Sequence, residues 1–330
     1  MGIEIRRAFV LEMAARKGRT EIVEFILKDV DNIGSHMDHQ DLSRDTGYFR
    51  PCEPLHAAAI GGKRTIARLL LARGADVNAI SAEDHKKTPL HCAVESGNLR
   101  FISLLLASGA NTTTQDAMGH TALHTAARRE GAQAMELLLE NGAAVHAHND
   151  TARTPMYTAI QFNNEKCVKA LLKHGATLPR HHAPALFVAL SLSSFKAARA
   201  ILEHFPNLPI VQRFANGRKS HALTTATSKL ELFGSAVDAG NLIEVVKILV
   251  DRGADISAVD FLGRTALHHA CAAACGDIAY LLVSKGANIH AEDRNRVTPF
   301  DIAVKYHVDN RSVRGSMTVN EMFKFERHTD

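Results

Sequence analysis

No stretch of this 330-residue chain is strongly basic or acidic, and its formal charge of +4 gives no electrostatic reason to make nucleic acid an obligatory partner. A disulfide framework is missing too. Cys52, Cys92, Cys167, Cys271 and Cys275 are an odd, scattered set, which reads as small buried apolar residues in a reducing compartment. No apolar run approaches the length of a membrane span. The N-terminal Met-Gly-Ile-Glu-Ile-Arg-Arg has no apolar signal core, and Arg6 stands where the myristoylation pattern requires Ser or Thr. The expectation is a soluble intracellular chain, cytoplasmic or nuclear, without a membrane partner. Nucleophile elbow, phosphate-cradling glycine loop and kinase signature are all absent, so no catalytic residue and no cofactor is assigned.

What is present is a period. Thr88-Pro89-Leu90-His91, Thr121-Ala122-Leu123-His124 and Thr154-Pro155-Met156-Tyr157 open three units 33 residues apart. Each continues with a small apolar pair (Ala93-Val94, Ala126-Ala127, Ala159-Ile160), a Leu-rich run and then Gly-Ala at 109, 142 and 175. A threonine ahead of a helix caps its first N–H groups, and proline just inside is pre-set for the first turn. Leu90, Ala93 and Val94 fall at helical spacing on one face, small enough for neighbouring helices to approach closely. The glycine after the Leu run suits a chain leaving a helix with positive φ. Each unit is therefore helix, turn, helix and extended link, and it cannot bury its apolar side without a neighbour.

These residues resemble the ankyrin-repeat family. Leu70 to Ala79, Asp251 to Ile256 and Thr265-Ala266-Leu267-His268 match its pattern almost letter for letter. The resemblance implies an all-α ankyrin-repeat solenoid of eight to nine helix-turn-helix repeats with hairpin-like links. In this family the histidine at the place of His56, His91, His124 and His268 uses its ring to tie the helix start to neighbouring links.

In chain order, the pattern predicts a single solenoid over 1–330. It comprises a degenerate repeat at 1–30, a loop insertion at 31–52, repeats at 53–206, a second loop insertion at 207–229, repeats resuming at 230–308, and a cap and tail at 309–330. The first insertion crowds His36, Asp38, His39 and Asp41 into six residues. Imidazole and carboxylate could in kind bind a metal or move protons, but a wet polar loop is the plainer reading and no metal site is assigned.

Function is expected where the family meets its partners, at the link tips and the exposed side of each first helix. Carried over, the tips supply His85, Lys86, Met118, His120, Arg153, Phe261 and Leu262, and the first helices supply Ile60, Glu95, Arg128, Arg129, Gln161, Phe162 and His269. Large apolar groups such as Met118, Phe162, Phe261 and Leu262 at solvent-facing positions are the clearest sign of a contact surface. The resulting expectation is a scaffold or adaptor that binds a protein partner through the concave face of the repeats. The alternative is an enzyme or small-molecule binder with a pocket between the repeat groove and the two insertions.

Overall fold

The computed structural model describes residues 2–28, 54–82, 84–177, 185–213, 219–230 and 236–309. Its described part is almost wholly helical, with 17 helices and one short hairpin. The chain divides into two compact units, Met1–Thr177 and Leu178–Asp330.

The described residues of the first unit form five helix pairs. They are α1 (Gly2–Lys17) with α2 (Thr20–Leu27), α3 (Pro54–Gly61) with α4 (Arg64–Ala72), α5 (Pro89–Ser96) with α6 (Leu99–Ala107), α7 (Ala122–Ala127) with α8 (Gln133–Glu140), and α9 (Pro155–Gln161) with α10 (Glu165–Lys173). First helices pack on first helices, α1 on α3, α3 on α5, α5 on α7 and α7 on α9, because their buried faces carry residues as small as Ala58, Ala93 and Ala127. The second helices bring the bulk. Ile66, Leu70, Phe101, Leu105, Met135, Leu138 and Leu171 are fully buried, each worth about 1.5–3 kcal/mol against exposure.

The threonine start is fixed as expected. Thr88 Oγ1 lies 2.9 Å from His91 Nδ1, and the Thr88 N–H donates to the same nitrogen at 3.3 Å. Thr121 and His124 repeat this arrangement, as do Thr265 and His268. Since Nδ1 accepts a backbone N–H, the ring proton sits on Nε2, and that N–H donates to the carbonyl of the next link. The acceptors are Lys87 for His56 (2.9 Å), His120 for His91 (3.0 Å), Arg153 for His124 (3.0 Å) and Val297 for His268 (3.1 Å).

The second unit contains α11 (Ala185–Ser191) and α12 (Phe195–His204), strands β1 (Val211–Arg213) and β2 (Lys219–His221), α13 (Ala222–Thr227), α14 (Ala236–Asp251), α15 (Ala266–Ala272), α16 (Gly276–Ser284) and α17 (Pro299–Asp309). Val211 pairs with His221 and Arg213 with Lys219, antiparallel. The segment 207–229 therefore holds more than the loop expected of it. Its hairpin serves as the link, and α13 takes the place of a first helix, packing against α11, α14 and α15. Ala222-Leu223-Thr224-Thr225-Ala226 carries the same apolar spacing as Ala266-Leu267-His268-His269-Ala270. Ala236 to Asn241 forms the start of the 16-residue α14, which runs on to Asp251. The insertion at 31–52 lies outside the described residues, and so does the tail beyond 309.

Candidate functional site

In the first unit the predicted contact residues fall into two rows, one at each end of the first helices. The link tips form the first row. Asp116 Oδ1 accepts the N–H groups of Met118 (2.8 Å) and His120 (2.9 Å), and Asn149 Oδ1 accepts those of Thr151 (3.1 Å) and Arg153 (2.9 Å). Successive tips are also joined to one another. Ala117 N–H donates to the His85 carbonyl at 2.7 Å, and Asp150 N–H to the Met118 carbonyl at 3.2 Å. Gly119 makes this approach feasible, since at φ +72° a Cβ there would lie 2.5 Å from Asp150 N.

On this scaffold His85, Lys86, Met118 and Arg153 are exposed, Met118 by 58 %. The Arg153 guanidinium lies over the Tyr157 ring, 4.8 Å from its centre. His120 is half-buried, with Nδ1 3.5 Å from Asp116 Oδ2 and Nε2 3.1 Å from Asn149 Nδ2. The amide side chain donates to Nε2, so the His120 proton sits on Nδ1, toward the carboxylate.

The second row lies where the first helices end. Ile60 and Glu95 are the penultimate residues of α3 and α5, Gln161 is the last of α9, and Phe162 caps it. Arg128 and Arg129, expected within a helix, sit just past the end of α7, which closes at Ala127. All six are exposed. Arg128 stacks on Phe162, its guanidinium carbon 5.3 Å from the ring centre, and its side chain makes no hydrogen bond or ion pair with a described residue. Arg129 turns the other way and donates to the backbone carbonyl of Glu95. The Glu95 carboxylate is held by Lys87 at 2.9 Å, which also reaches Asp84 at 3.1 Å. Burial alone would lower the Lys87 pKa, but hydrogen bonds to these two carboxylates hold it above the ordinary value.

In the second unit Phe261 is 71 % exposed at its tip. Leu262, expected to be exposed, is half-buried because the next link lies against it, Arg294 N–H donating to its carbonyl at 3.0 Å. His269 corrects the sequence reading more sharply. It is buried, with Nε2 3.1 Å from Asp260 Oδ2. The reason is register, since the residue directly after the ring at the fourth position of the opening motif lies on the packed side of the helix, as Cys92 and Thr158 do.

Sequence reasoning missed the acceptors that shape the tips. Asp116, Asn149, Asp260 and Asp293 each stand five residues before the opening threonine and accept two backbone N–H groups. Their regular recurrence was the available signal. Lys87 was also passed over. His36, Asp38, His39 and Asp41 lie outside the described residues. Among the described residues no three His, Cys, Asp or Glu side chains converge to hold a metal ion, and no helix is long and apolar enough to cross a membrane.

Comparison with known proteins adds the lineage. The family model "Ankyrin repeats (3 copies)" matches at residues 11–116, 55–149, 104–182, 123–213, 205–293 and 232–313. Human protein phosphatase 1 regulatory subunit 27 is 42 % identical over 96 residues, covering 29 % of this chain and 62 % of that protein. A putative ankyrin repeat protein of Rickettsia bellii (strain RML369-C) is 39 % identical over 69 residues, which are 20 % of this chain and 38 % of the other. Mouse 2-5A-dependent ribonuclease is 44 % identical over 69 residues, 21 % of this chain and 9 % of that enzyme. The chain thus spans less than two thirds of each of these relatives. Among solved structures, the human ASB11 ankyrin repeat domain superposes with a TM-score of 0.53 at 23 % identity, covering 72 % of this chain and 97 % of that one, a likeness of fold.

Proposed function

This chain belongs to the ankyrin-repeat family, and from that premise we propose that it is an adaptor that binds a protein partner through the first-helix ends and link tips of its first unit. The stacking of Arg128 on Phe162 carries this reading. A guanidinium that lies on an aromatic face keeps its N–H edge directed outward, in the plane where a carboxylate accepts two hydrogen bonds. Phe162, 47 % exposed, supplies an apolar anchor beside it. The pair suits a partner segment that offers a carboxylate flanked by an apolar side chain. A relative that is by name a regulatory subunit of a phosphatase supports a protein as the ligand.

The test is site-specific crosslinking in cell extract. A photoreactive residue placed at Phe162 or Met118 should capture a discrete protein, identified by mass spectrometry, whereas the same residue at Glu140, on the outer surface of α8, should not. Capture from Glu140 alone, or equally from all three positions, contradicts the assignment.

A further inference from the structure

The turns that join the two helices of each repeat lie side by side along one edge of the first unit, at the opposite end of the first helices from the link tips. Their contiguity is explicit. A Cβ on Gly61 would strike the carbonyl of Arg16 in the preceding turn. The Lys63 side chain covers Gly18, Asn98 Nδ2 covers Gly62, and the Arg129 guanidinium covers Gly97, each reaching back from one repeat to the one before. Asn164 continues the row by donating to the carbonyls of Ala127 and Arg129.

This edge is basic over four successive turns. Arg16, Lys17 and Arg19 stand in the first, Lys63 and Arg64 in the second, Arg100 in the third, and Arg128 and Arg129 in the fourth. None of the eight forms an ion pair with a described carboxylate. Glu21, Glu95, Glu130 and Glu165 stand beside these turns in the sequence, and Glu95 is already engaged by Lys87 and Glu165 by Lys169. Helix capping explains only half of these cations. Arg16 and Lys17 close α1 and Arg128 and Arg129 follow α7, at the negative ends of first helices where a cation is favourable, but Arg19 and Lys63 sit at the N-caps of α2 and α4, Arg64 opens α4, and Arg100 is the second residue of α6. Those four face the positive end of a helix, and α4 and α6 have no acid in their first turn. A charge set against the helix dipole, without a carboxylate partner among the described residues, marks a place where local stability has given way to another requirement.

Three apolar side chains are interleaved with the cations, Ile60 (40 % exposed), Leu99 (39 %) and Phe162 (47 %). We propose that this row of turns binds an extended acidic segment of a protein whose carboxylates are separated by apolar residues. Packed helices place successive turns about 8–10 Å apart, and an extended chain advances about 3.3 Å per residue, so roughly every third side chain of the segment meets one turn. Duplex DNA is a poorer match, with a charge about every 1.7 Å along its axis and no group to cover Ile60 and Leu99. The inference rests on the reading of the first unit as a protein-binding module and names the chemistry of what it takes.

The test uses the full chain and a fluorescent peptide of mixed Glu and Leu, followed by anisotropy. Arg19→Glu, Arg64→Glu and Arg100→Glu combined should weaken binding by roughly tenfold or more. Lys28→Glu, Arg68→Glu and Lys173→Glu combined, an equal change of charge on exposed residues away from the row, should leave it within about twofold. Unfolding will not mimic the loss, because the new acids suit the helix starts they occupy, and circular dichroism checks this. Binding should also fall steeply with added salt. No binding, equal losses in the two triple variants, or tighter binding of duplex DNA or of phosphatidylserine-containing vesicles with the same residue dependence would each overturn the proposal. Arg128 and Phe162 are untouched in these variants, so failure here is separable from failure of the proposed function.

Discussion

Mild acid should destabilise the first unit through its buried histidines. His56, His91 and His124 are essentially inaccessible to solvent, and burial pushes each pKa below the ordinary 6.5 although the carbonyl accepting from Nε2 works in the other direction. For His91 and His124 the geometry explains why the neutral ring is required. A second proton would sit on Nδ1, facing the threonine N–H that this nitrogen now accepts. Because the folded pKa is depressed, the unfolded chain binds more protons below pH 6.5. The stability is therefore fully present above that value and is lost as pH falls beneath it. A histidine kept wholly neutral in the fold contributes at most about 1.4 kcal/mol per pH unit in that range. Three of them set a ceiling of about 4 kcal/mol between pH 6.5 and about 5.5, a large share of the 5–15 kcal/mol typical of a domain. The chain has no tryptophan, so urea unfolding is best followed by far-UV circular dichroism, with hydrogen exchange on the Thr88 and Thr121 amides reporting the first unit. The urea midpoint should hold steady from about pH 7.5 to 6.5 and then drop, and His124→Gln should flatten that drop while lowering stability at neutral pH. A midpoint unchanged down to about pH 5.5, or one that rises on acidification, would refute the account of neutral, doubly bonded rings.

Other expectations follow from single positions. Leu138 is fully buried in α8, so Leu138→Ala should cost about 2–5 kcal/mol in urea unfolding, whereas Glu140→Ala, exposed on the same helix, should stay within about 0.5 kcal/mol. Gly119→Ala meets both a positive φ and the Asp150 backbone; it should destabilise by more than about 1 kcal/mol and speed hydrogen exchange at the Asp150 amide. Cys167 and Cys271 have their thiols pushed up to about 12 by burial, so iodoacetamide at neutral pH should leave both unmodified in the native chain and label both in urea, as read by peptide mass spectrometry.

The repeats were legible in the letters because each has to make the same contacts. Thr-x-x-His sets a cap and a tie to the next link in one stroke, and small residues on the first helix with a Leu run on the second follow from how closely each must approach its neighbours. Where two patterns compete, the letters alone do not decide. Gly240-Asn241 resembles the turn at Gly97-Asn98, yet both residues lie inside α14, and α13 supplies the first helix instead. What decides there is packing among α11, α13 and α15, which no local window contains. At the site, periodicity sets Arg128 and Phe162 in successive repeats, and their stacking needs only that neighbourhood. It could not show that Arg129 turns back to a carbonyl, nor that Lys87 occupies the Glu95 carboxylate, because both depend on rotamers set by three adjacent repeats. His269 failed for a simpler cause, a helix register misplaced relative to Glu95, Arg128 and Gln161.

The most direct measurement is the affinity of the crosslinked partner, once purified, for the parent chain and for the Arg128→Ala/Phe162→Ala double variant, by calorimetry with matched circular dichroism. If the stacked pair is the anchor, the folded variant should bind at least about tenfold more weakly, an anchor residue being worth more than about 1–2 kcal/mol. A folded variant that binds as tightly as the parent would place the interface elsewhere and contradict the account.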